Sequence, residues 1–99
     1  MDINDFTKNL GHTLDRDIKL RLNKLVRENY RYQNWDESNK KVVLDLIKKF
    51  KPYLRKGIKI SDRTIQKESY HLYQNRLKLG LTEEDLKDIK EFLRNLNNF

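Results

Sequence analysis

The chain has no cysteine, a single proline, three glycines and a single tryptophan in 99 residues. Without thiols, neither a disulfide framework nor a thiolate metal site can form, and a reducing compartment is compatible. Apolar residues are also scarce, at 36% against 37% charged, so a small core under a heavily charged surface is expected. No apolar run approaches the roughly 18 residues of a membrane span, and the opening MDINDFTKNL lacks the basic and apolar regions of a signal peptide. A nuclear or cytoplasmic protein with no membrane partner is expected. Catalytic patterns are missing too. His12 and His71 stand far apart, and no zinc-protease, CxxC, nucleophile-elbow or P-loop pattern occurs. Gly11, Gly57 and Gly80 fall at expected helix ends, where each serves as a C-cap. The expectation is therefore no enzyme, no cofactor and no metal.

What the chain does have is positive charge in one place. The stretch Lys40–Arg63 holds nine basic and two acidic residues, an excess that equals the net charge of +7. The rest of the chain balances at thirteen of each sign. Within the stretch, Val43, Leu46, Ile47, Phe50 and Leu54 repeat at the spacing of one helical face. A helix that buries this side is expected to carry the unpaired charge on its other side and in the loop after it. Such a face suits an anionic partner.

The remaining periodicity is helical throughout. Asp2 or Asn4 caps a short helix bearing Ile3, Phe6 and Leu10, with little apolar surface to hold it. Thr13 caps a second helix that carries Leu14, Ile18, Leu22, Leu25 and Val26 through Tyr32. Asp36, with Glu37 behind it, opens the central helix, in which Pro52 forces a kink or an end near Lys51. Ser61 or Asp62 opens a helix that runs to Leu79, its stripe interrupted by Ser69 and Arg76. Thr82 and Asp85 make a capping box for the last helix, with Leu86, Ile89, Leu93 and Leu96 inward and Phe92 and Phe99 at the edges. No alternating β-type run appears. The fold class expected is all-α: a single domain, 1–99, with an N-terminal helical extension over 1–34 and a core bundle of three helices over 35–99.

Aromatic residues flank the basic stretch on both sides: Tyr30, Tyr32 and Trp35 before it, Tyr53 within it, Tyr70 and Tyr73 after it. The first three suit either a core seal at a helix junction or a docking surface for an extended peptide. For the basic stretch itself, a solvated face, a nucleic-acid backbone surface and a groove for an acidic or phosphorylated peptide all fit. Lysine outnumbers arginine, which favours backbone or phosphate contact over base readout. A subunit-interface scaffold, its aromatic clusters covered by another chain, is a further reading.

The run Leu46–Leu72, LIKKFKPYLRKGIKISDRTIQKESYHL, resembles the SRI domain, a C-terminal helical module of histone lysine methyltransferases that travel with RNA polymerase II. The matching positions are Ile47, Phe50, Pro52-Tyr53, Lys56, Lys59-Ile60 and His71-Leu72, and the closing IKEFLRNLNNF looks like that family's final helix. The likeness covers about residues 42–99. The chain departs from the family pattern at Glu68-Ser69-Tyr70 and at Asn75-Arg76-Leu77-Lys78. The resemblance implies a non-catalytic reader of the phosphorylated heptad tail of the polymerase, with Tyr53, Lys56, Lys59 and His71 as carried-over contacts. Charge and helical facing add Lys49 and Arg76 as phosphate contacts and Tyr73 as a groove residue.

Overall fold

The computed structural model describes residues 1–97. Six α-helices and no strand are found among the described residues: α1 (Ile3–Thr7), α2 (Asp15–Glu28), α3 (Glu37–Arg55), α4 (Asp62–Gln74), α5 (Arg76–Leu79) and α6 (Glu83–Asn95). The expected all-α bundle is what the chain forms. The expected place of Phe99 lies outside the described residues.

Side-chain caps set the helix starts. Asp36 accepts from the Asn39 amide at 3.0 Å while Asn39 Oδ1 accepts from the Asp36 amide at 2.9 Å, a reciprocal box at the head of α3. Thr82 and Asp85 do the same for α6, at 3.1 and 2.9 Å, with Glu83, Glu84 and Asp85 at the positive end of the helix dipole. Asp2 caps α1 and Ser61 caps α4. At the head of α2, Leu14 rather than Thr13 is the N-cap residue, and the Thr13 hydroxyl instead donates to the Asn9 carbonyl at 2.7 Å.

Four expectations about helix ends need correction. α2 stops at Glu28, because Asn29 turns its side chain back to the Arg31 amide and starts a short 3-10 turn through Tyr32. Pro52 does not end α3 near Lys51: the helix runs on to Arg55 with the proline inside it. Pro52 and Lys48 both lie on the exposed side, so water can serve the carbonyl that proline leaves free. α4 stops at Gln74, since Asn75 bonds by both its amide and its side chain to the His71 carbonyl, and α5 follows as a separate turn. Gly11 is no helix stop. It is buried where the N-terminal segment crosses the end of α3. Gly57 and Gly80 do terminate helices, with φ of 71° and 69° and bonds from Ile58 to Tyr53 and from Leu81 to Arg76.

One apolar cluster runs from Phe6 to Leu96. Phe92 is its aromatic hub, with ring centres 5.5 Å from Phe6, 6.0 Å from Tyr32 and 5.6 Å from Trp35. Burial pushes the Tyr32 phenol above its usual pKa. Tyr32 and Trp35 therefore seal the core and are no docking surface, while Tyr30 is 86% exposed. The segment 1–34 is no appendage either: Phe6, Leu10, Ile18, Leu22 and Leu25 are all inside that cluster.

Candidate functional site

The sequence concentrates its cations on α3 and the loop after it, and the helix pairings decide which of them are free. Lys40 bonds Glu37 at 2.8 Å and holds that carboxyl below its usual range. Lys51 reaches Asp15 of α2 at 3.1 Å, and Lys49 pairs with Glu68 of α4. A third of the basic residues in the stretch are thus neutralised, two of them by carboxylates from α2 and α4. The single unpaired face expected from the sequence is not what the chain builds. Lys41, Lys48, Arg55, Lys56, Lys59 and Arg63 remain without an ion pair among the described residues.

The edge of α3 that faces α4 forms a groove. At one end, Val42, Leu46, Leu72 and Leu79 enclose an apolar cleft of about 180 Å³ with Asp45 and Lys49 at its rim. The Lys49–Glu68 pair spans the middle. Leu46 beside Leu72 and Lys49 beside Glu68 make α3 and α4 an antiparallel pair. Tyr53 and Lys56, four and seven residues beyond Lys49, continue the same edge. Tyr53 leans its ring on Phe50, with centres 6.1 Å apart, and stays 47% exposed. His71, three residues after Glu68, lies on the side of α4 that looks toward this groove.

Lys56 and Lys59 owe their position to the loop. The Gly57 turn ends α3, and Ile60 is then buried, its amide donating to Asn97 Oδ1 and its carbonyl accepting from Asn97 Nδ2, both at 2.7 Å. Asn97 fixes the loop from the far end of the chain. Sequence reasoning missed it, because an asparagine 37 residues away along the chain gives no periodic signal.

Of the seven residues expected at the site, Tyr53, Lys56, Lys59 and His71 lie exposed along this groove or in the loop at its end. Three are placed otherwise. Lys49 lines the groove, but Glu68 takes its charge, so it offers no free cation to a phosphate. Tyr73 stands two residues from His71, and side chains at that spacing do not share a helix face. Arg76 stacks its guanidinium 4.1 Å from the centre of the Tyr73 ring and donates to the Tyr73 carbonyl at 2.8 Å, so the two cover each other.

No helix among the described residues is long and apolar enough to cross a membrane, and no group of three or more metal-ligating side chains is present among them. No family model, curated protein or solved structure matches this chain.

Proposed function

We propose that this bundle is a non-catalytic binding module for an anionic, phosphorylated peptide, held in the groove between α3 and α4. The observation that carries the reading is an apolar cleft and an exposed tyrosine along one edge of α3, with unpaired lysines, Lys56 and Lys59, just past the end of that helix. From Leu46 to Lys56 is ten residues of helix, about 15 Å at ~1.5 Å each. An extended peptide covers that span with about five residues at ~3.3 Å each. The cleft has room for one aliphatic or aromatic side chain, since cavities of ~150 Å³ admit benzene. At the other end, Lys56 and Lys59 supply the charge for a phosphate and Tyr53 a wall, while His71, next to Leu72, flanks the cleft. Nucleic acid has no use for the cleft, which is why the peptide comes first. The resemblance to the SRI domain points to the phosphorylated heptad tail of RNA polymerase II as the peptide to try.

A charge-assisted contact is worth about 1.5–3 kcal/mol. Replacing both Lys56 and Lys59 by alanine is therefore expected to weaken binding of a doubly phosphorylated heptad-tail peptide by roughly a hundredfold or more. Fluorescence anisotropy at constant salt reads this directly, and the dephosphorylated peptide serves as control. Equal affinity for the two peptides would sink the reading.

A second reading draws on Lys41, Lys48 and Arg55, which are unpaired and recur every seven residues along the solvent side of α3. A row of that kind suits a nucleic-acid backbone. It predicts binding of random oligonucleotides that falls steeply with added salt.

A further inference from the structure

Where the segment after α1 crosses the end of α3, it leaves a cavity of about 230 Å³. A space of that size admits several water molecules. Its polar lining is Thr7, Asn9, His12 and Arg55, and no aspartate or glutamate lines it. Each of the other described grooves along α3 has Asp45 in its wall. Arg55 is set in place at this cavity. Its Nε donates to the Gly11 carbonyl at 3.1 Å, and the backbones can meet there because Gly11 has no Cβ: one would sit 2.4 Å from the Arg55 amide nitrogen. With Nε committed, the two terminal nitrogens of the guanidinium have no acceptor among the described residues, and neither does the His12 ring.

We infer that this cavity binds a phosphoryl group, a phosphate monoester or free phosphate, gripped by the fork of Arg55 with His12 beside it. A guanidinium whose orientation is fixed by a backbone acceptor presents two parallel donors at the spacing of two phosphate oxygens. Arg55 and Lys51 bond to the N-terminal side of the molecule, whereas the peptide groove lies along α4. The inference therefore stands apart from the peptide reading.

The test uses the full chain labelled with ¹⁵N, titrated with inorganic phosphate against sodium chloride at matched ionic strength, and then with blocked phosphoserine. Saturable shifts of the Arg55 Nε and His12 signals with phosphate, absent with chloride, are expected. Blocked phosphoserine binding more tightly identifies a monoester as the ligand, and phosphate binding more tightly identifies the free ion. Arg55→Lys keeps the charge and loses the fork, and should weaken binding at least fivefold. Should that variant unfold, His12→Ala, which leaves the Gly11 bond intact, should weaken it at least threefold. Shifts that grow linearly, that chloride reproduces, or that survive in the folded variants would overturn the assignment. Loss of peptide binding in the Lys56 and Lys59 variant has no bearing on this site, so the two proposals fail separately.

Discussion

A Cβ on Gly11 would stand 2.4 Å from the backbone nitrogen of Arg55 and 2.7 Å from its Cα, whereas one on Gly57 meets nothing within 4 Å. The two glycines look alike in the sequence and do different work. Gly57 supplies a left-handed φ, which costs another residue about 1–2 kcal/mol. Gly11 lets two backbones touch, and backbone cannot swing aside. Gly11→Ala is expected to cost more than Gly57→Ala, by about 1–3 kcal/mol from overpacking, in urea unfolding followed by circular dichroism. Equal costs would contradict the close approach. Asp88 gives a second residue-scale test. Burial, then the neighbouring Glu84, holds its carboxyl above the usual carboxylate range. The fold prefers the neutral form, so what this group contributes to stability is present at low pH and lost as pH rises through the raised value. Asp88→Asn should raise the melting temperature at pH 7 and leave it unchanged at pH 3.

At the scale of elements, helix type and most starts were legible because caps are local: Asp36, Ser61 and Thr82 announce themselves a few residues ahead of an apolar stripe. The ends were less so. Asn29 and Asn75 stop helices by bonding to nearby backbone, and an asparagine on a weak stripe reads equally well as a surface residue. Charge pairing between helices was invisible, since Lys49 and Glu68 meet only through the register of α3 against α4. On the proposed reading Glu68 acts as a brake, because its carboxylate lies mid-groove across the path proposed for the phosphopeptide. Glu68→Gln removes one negative charge and frees Lys49. It should tighten phosphopeptide binding roughly threefold to tenfold, or about 0.6–1.4 kcal/mol, by anisotropy. Weaker binding would place the peptide elsewhere.

At the scale of the whole molecule, the division at residue 34 fails because Phe6 and Phe92 share one aromatic cluster. A light apolar load in the first helix reads as fraying until its partner, 86 residues on, is in view. Phe6→Ala should therefore cost about 3–5 kcal/mol of global stability. Trp35 fluorescence and far-ultraviolet circular dichroism should still report one coincident transition, as one core requires. Separated transitions would contradict one core spanning both parts.

On the proposed reading, the apolar cleft and Tyr53 on one edge of α3, with Lys56 and Lys59 just beyond its end, bind a phosphorylated peptide. Amide chemical-shift mapping of the full chain with a doubly phosphorylated heptad-tail peptide, its dephosphorylated form and a short single-stranded oligonucleotide tests it most directly. Shifts at Leu46, Tyr53, Lys56, Lys59 and His71 are expected with the phosphorylated peptide alone. Stationary signals at those residues, or the same shifts from the oligonucleotide, would contradict it.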